Sequence, residues 1–229
     1  MEHSIGTPLF WISFILVVLI LLAIDLGIFH RRAHVVSVRE AMSWSVVWIL
    51  LSLSFGMWIF STFGRQYGLE FFAGYLIEYA LSVDNVFVFI LIFSYFAVPA
   101  GLHHRVLFWG ILGALIMRAT FIVAGAALIQ SFHWVIYIFG AFLVVTGAKI
   151  FRQGDTKIEP ESNPVVKLFR RFIPMAPGYD SGRFFLKHQG KLLATPLALV
   201  LVTVEATDLV FATDSIPAIF GVTRDPFIV

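Results

Sequence analysis

Two stretches of this sequence place acids where acids are costly. GYLIEYALSVDNVFVF carries Glu78, Asp84 and Asn85, and VEATDLVFATDSIPAIF carries Glu205, Asp208, Asp214 and Ser215. Both read acid, five residues, Asp, then a second oxygen-bearing side chain, so Glu78 matches Asp208, Asp84 matches Asp214 and Asn85 matches Ser215. The flanking residues are apolar enough to cross a bilayer, where each ionised carboxylate costs at least about 2.5 to 3.5 kcal/mol on insertion scales. Arg118, in GALIMRATF, is the basic residue clearly at membrane depth, and Asp25 adds an acid near the end of the first apolar run. One arginine cannot neutralise so many acids in a purely structural ion-pair network. A bound cation can. Carboxylates, an amide oxygen, a hydroxyl and a freed carbonyl form a hard-oxygen set that suits Mg2+, Ca2+ or Mn2+ better than Cu+ or Zn2+. The candidate metal ligands are therefore Glu78, Asp84, Asn85, Glu205, Asp208, Asp214 and Ser215, with Asp25 and Arg118 as charge partners. The ion is read as cargo, and no permanent cofactor is expected.

The elements that position these groups are helices. Apolar runs of about 20 residues, the length that spans a bilayer, fall at 8 to 29, 42 to 63, 71 to 97, 106 to 130, 133 to 151 and 193 to 220. Six residues turn a helix by about 240°, so Glu78 and Asp84 leave a common face, whereas Glu205 and Asp208, three apart, share one. A break in the helix would bring Asp214 back toward Glu205. Pro217 supplies a reason for such a break, because it has no N–H for the carbonyl of Thr213. Broken helices of this kind line transporter sites.

Basic residues alternate between loops. Arg31, Arg32 and Arg39 follow the first span, PAGLHHR follows the third, and the segment 152 to 192 holds eight Lys or Arg, while the opposite loops hold only Arg65. The positive-inside rule then puts the N-terminus outside a bacterial inner membrane and the basic loops in the cytoplasm. On that topology the third and sixth spans run in opposite directions, as inverted repeats do in secondary transporters. The expected organisation is a five-helix membrane region at 1–151, a cytoplasmic connector at 152–192, and at 193–229 a sixth helix that opens a second repeat. Within the connector, VVKLFRRFI reads as a short interfacial basic helix and RFFLKHQGKLLATP as a small hairpin turning at Gln189 and Gly190. His103 and His104 read as solvated loop residues. Gly110 and Gly113 with Ala114, and Gly140 and Gly147, read as sites of close helix packing. Trp44, Trp48 and Trp58 read as interface anchors or lipid-facing bulk.

Composition supports the class. The 229 residues are 59% hydrophobic and 13% charged with a mean hydropathy of +0.91, whereas soluble domains carry about 25% charged residues. The fold class is thus all-α, a polytopic transmembrane bundle of about six spans with inverted-repeat character. A net charge of +2 spread over loops points to topology and away from nucleic acid. With no cysteine, disulfides and thiolate metal sites are excluded within these residues.

AIDLGIF around Asp25, GYLIEYALSVDNVFVF, GALIMR ending at Arg118, and VEATDLVFATDSIPAIF together resemble the TerC family of bacterial membrane proteins, and within it the Alx-like branch, related to the LysE-type transporter superfamily. The resemblance implies manganese export from the cytoplasm, linked in that branch to alkaline conditions, and the family name records tellurite resistance. It also implies further helices completing a second three-helix repeat, so the native reading frame is expected to extend beyond Val229, or partner helices to come from elsewhere. The alternative function is a membrane scaffold for a tellurite-stress complex, with partner proteins docking on the connector. An intramembrane aspartyl protease using Asp84 and Asp214 would need YD and GxGD contexts, which LSVD and FATD do not provide. No enzymatic activity is expected; the expected partners are the lipid bilayer and a divalent cation.

Overall fold

A computed structural model describes residues 4–24, 38–153, 164–179, 182–188 and 190–229; Asp25 and Gln189 lie outside these residues, as does the side chain of Asp84. In chain order the elements are α1 (Pro8–Ile24), α2 (Val38–Phe63), α3 (Arg65–Tyr95), α4 (Ala100–Ser131), α5 (Val135–Gln153), α6 (Pro164–Phe172), the strands β1 (Phe185–His188) and β2 (Lys191–Ala194), and α7 (Pro196–Phe220). Four helices, α2, α3, α4 and α7, are long and apolar enough to cross a membrane, and α1 and α5 are shorter apolar helices. The all-α membrane class holds. Large apolar side chains such as Leu16, Leu50, Phe87 and Ile116 stand exposed along these helices, the surface a lipid solvent requires.

The chain divides into two compact units. The first comprises Met1–Ala80, Phe121–Leu143 and Ser215–Val229, and the second Leu81–Thr120 and Val144–Asp214. In the first, Thr7 caps α1 by accepting from Phe10 N–H at 3.3 Å, with Pro8 at the first helical position where its missing N–H costs nothing. A tight link with Gly64 at φ +100° joins α2 to α3. The two helices close on each other at glycine: a side chain at Gly68 would meet the Phe60 Cα at 2.7 Å. Phe10, Phe14, Phe55, Trp58 and Phe227 form an aromatic cluster, with Trp58 stacked on Phe55 at 5.5 Å.

In the second unit α3 ends in a Schellman-type turn. Val98 N–H reaches Phe93 O at 3.0 Å, Ala97 takes φ 48°, and Pro99 prevents continuation. Here the reading of His103 as solvated is corrected. It lies in the first turn of α4, its ring stacks on Phe93 at 4.6 Å, and its Nε2 is 2.9 Å from Val98 O, so it fastens the turn. Ile92, Val106, Leu197, Val200 and Val204 form the core between α3, α4 and α7.

The connector is sewn to the ends of these helices. Tyr179 Oη donates to Phe96 O at 2.8 Å, and burial raises the phenol pKa, which keeps the hydroxyl protonated. Arg105 donates to Gly182 O at 2.6 Å and lies over the Phe184 ring. Thr195 Oγ1 bonds Arg183 O at 2.6 Å and caps α7 through Ala198 N–H. The expected basic helix is α6, and the expected hairpin is β1 and β2, closing at Gly190 with φ +76°. The anticipated break in α7 is not present. Pro217 lies within its last turn, where the helix loses a single amide partner and runs on to Phe220.

Candidate functional site

The acidic face of α7 meets α4. Along the two helices Gly110 lies against Val204 and Leu201, Gly113 against Glu205, and Arg118 against Asp208. Contacts that climb both sequences together mean that the helices run parallel. α3 joins α4 through the turn at Ala97, and the adjoining ends of the two helices pack at Phe93 and His103.

Three residues apart on α7, Glu205 and Asp208 receive different treatment from α4. Asp208 is 4% exposed and is held by Arg118, with Nη2 to Oδ1 at 3.2 Å and Nε to Oδ2 at 3.5 Å. The planar guanidinium presents two donors to two oxygens, the pairing arginine makes best. Glu205 instead fills the space beside Gly113: a Cβ there would fall within the carboxylate. The sequence alone reads Gly113 only as a packing residue. The usable signal was its position five residues before Arg118, opposite two acids three apart. By contrast, a Cβ at Gly140 or Gly147 would meet nothing within 4 Å among the described residues, so the close packing expected on α5 is not found there among them.

Higher on α7, Asp214 Oδ1 and Ser215 Oγ are both buried without a hydrogen-bond partner among the described residues. Most buried polar atoms are satisfied, and adjacent exceptions invite an explanation such as an ion. Neighbouring hydroxyls show how easily the helix satisfies its own: Thr203 Oγ1 donates to Leu199 O at 2.8 Å, Thr207 to Thr203 O at 2.7 Å and Thr213 to Val210 O at 2.6 Å. Asn85, on α3, is buried too. Glu78 and Ser215 belong to the first unit; Asp84, Asn85, Glu205, Asp208 and Asp214 belong to the second. Among the described residues no three His, Cys, Asp or Glu side chains stand together as a metal-holding group.

Residues 63–229 match the model of the "Integral membrane protein TerC family". The chain belongs to the TerC family. Similar relatives cover nearly all of it. An "Uncharacterized membrane protein STKORF319" of Myxococcus xanthus is 53% identical over 99% of this chain and 71% of its own length. The Escherichia coli K12 protein named "Putative membrane-bound redox modulator Alx" is 47% identical over 99% of this chain and 74% of its own. An "Uncharacterized membrane protein" of Rickettsia felis is 39% identical over 96% of this chain and 73% of its own. No solved structure matches. The TerC match includes both acidic motifs, Arg118 and Gly113, so the α4–α7 contact lies within the part that defines membership.

Proposed function

We propose that this TerC-family chain belongs to a divalent-cation exporter of the bacterial inner membrane, with Mn2+ as the preferred cargo and the N-terminus outside. The observation that carries the reading is that Asp214 Oδ1 and Ser215 Oγ are buried without a hydrogen-bond partner among the described residues, on a helix long and apolar enough to cross a membrane. Asp84, Asn85, Glu205 and Asp208 are the further candidate ligands of the second unit, and Glu78 is the candidate that the matching motif contributes from the first. Hard oxygen donors of this number favour Mn2+, Mg2+ or Ca2+ over softer ions. Arg118 acts in this scheme as a resident stand-in cation for Asp208, released when the metal takes its place. Carboxylates that release metal take up protons, which gives the export step a natural counter-ion.

The redox modulation in the name of the Alx relatives fits the same reading. With no thiol in these 229 residues, a redox effect of this stretch would run through the metal it handles. The tellurite-stress scaffold remains the second reading, favoured by the compactly fastened connector as a docking surface. Cellular manganese separates them. Expression of the complete protein should lower cell-associated manganese and protect against manganese excess while leaving copper unchanged. Unaltered manganese at confirmed expression would refute export. Tags after Phe151 and at Gly190 should report cytoplasm, and a tag at the N-terminus should report the outside.

A further inference from the structure

The connector presents an amphipathic surface that neither the cation site nor the spanning helices use. Successive residues turn by about 100° on α6, so Val165, Leu168 and Phe172 fall within an arc of about 60°, and Lys167 and Arg171 lie together on an adjoining arc. Val166 faces the protein and is 1% exposed, whereas Leu168 is 55% and Phe172 73% exposed. The hairpin repeats the pattern. Lys187 pairs with Leu192, and Phe185, two residues away, shares their face; Phe185 is 45% and Leu192 59% exposed.

These side chains are fixed at the level where α7 enters its apolar span. Directly after α6, Ala194 N–H donates to Pro174 O at 2.9 Å and Ala176 N–H to Ala194 O at 2.7 Å, two residues before α7 begins at Pro196. Phe172 thus lies two residues from a segment bonded to the start of α7. We propose that α6 and the β1–β2 hairpin form a binding surface for anionic phospholipid headgroups of the adjoining leaflet. Phe172, Leu168 and Leu192 enter the acyl boundary, and Lys167, Arg171 and Lys187 meet phosphate. Apolar insertion combined with basic flanks is how interfacial helices bind, and short surface helices need both. The basic residues also match the negative sign of the lipid surface on which the positive-inside rule places this loop.

The test exploits the absence of cysteine from the chain. A spin label on Phe172→Cys in the full chain, reconstituted in vesicles of zwitterionic lipid alone or with an anionic phospholipid admixed, reports lipid contact through its relative accessibility to oxygen and to a water-soluble nickel chelate. Anionic lipid should shift the label toward oxygen, and high salt should reverse the shift. Lys167→Gln with Arg171→Gln should weaken the response to anionic lipid about 25-fold, taking about fivefold per basic residue near such a surface. Exchanging the two basic types, Lys167→Arg with Arg171→Lys, should restore it and so control for folding. A label that stays open to the nickel chelate in both vesicles overturns the proposal and points to a protein partner. Equal lipid contact with and without anionic lipid overturns the headgroup assignment.

Discussion

Asp225 is a buried carboxylate and Asp214 a half-buried one with one buried oxygen, and they are treated in opposite ways. Asp225, in the first unit, accepts Ser4 Oγ at 2.6 Å, Ile5 N–H at 2.7 Å and Phe227 N–H at 2.9 Å. Close by, Thr223 Oγ1 donates to Glu70 Oε2 at 2.6 Å. Neutral donors saturate this acid, which ties the N-terminal segment to the chain after α7. Asp214 keeps a buried oxygen without a donor among the described residues. A saturated carboxylate holds a structure together; one left bare retains binding capacity. Asp208 is intermediate, being satisfied by the Arg118 charge, which in the proposed exporter a cargo cation would replace.

The largest expected effect comes from that intermediate case. Arg118→Gln strands a buried charge and should cost about 3–5 kcal/mol in reversible unfolding. Adding Asp208→Asn should recover most of the loss, and Mn2+ should recover part of it in the single variant, by binding the folded state. A double variant as unstable as the single one would mean that Arg118 acts elsewhere.

Asp225→Asn and Asp214→Asn break the comparison directly. The first weakens charge-assisted hydrogen bonds worth about 1.5–3 kcal/mol each, so thermal stability should fall while the Mn2+-induced rise in Tm persists. The second removes an expensive charge, so metal-free stability should hold or improve while the Mn2+-induced rise disappears. The proposed function is lost if the unmodified complete protein gains no stability from Mn2+, or if Asp214→Asn keeps the whole gain.

Gly113→Ala should cost about 1–3 kcal/mol by displacing the Glu205 carboxylate and should weaken the Mn2+ response, whereas Gly140→Ala, with open space around it among the described residues, should stay within about 0.5 kcal/mol. Thr223→Val, which removes the hydrogen bond to the Glu70 carboxylate, should cost about 1.5–3 kcal/mol, with no change in manganese handling.

The spanning helices, α6 and the hairpin were legible because each has a local signature: long apolar runs, a basic amphipathic turn, and Gly190 between alternating strands. The two acid motifs were legible as a repeat. What local pattern cannot supply is the register between helices far apart in sequence. Arg118 was visible as the counter-charge, but its choice of Asp208 over Glu205 depends on where α4 lies along α7. Gly113 lacked any side chain to announce its role. Asp225 and Glu70 escaped notice because acids near helix ends normally meet water, and only tertiary structure brings Ser4 and Thr223 to them. The expectation of a broken α7 failed for a simpler reason, since Pro217 stands too near the helix end to interrupt it.

The fastening of Thr195 to Arg183 gives α7 a pivot. Motion of a helix fastened just before its first residue grows with distance from that point. At 1.5 Å per residue Asp208 lies about 18 Å from Pro196 and Asp214 about 27 Å. A swing of about 5° would therefore carry Asp208 by roughly 1.6 Å and Asp214 by roughly 2.4 Å, the latter close to the length of a hard metal–oxygen bond. In the proposed exporter, leverage alone would make Asp214 the first ligand to let go.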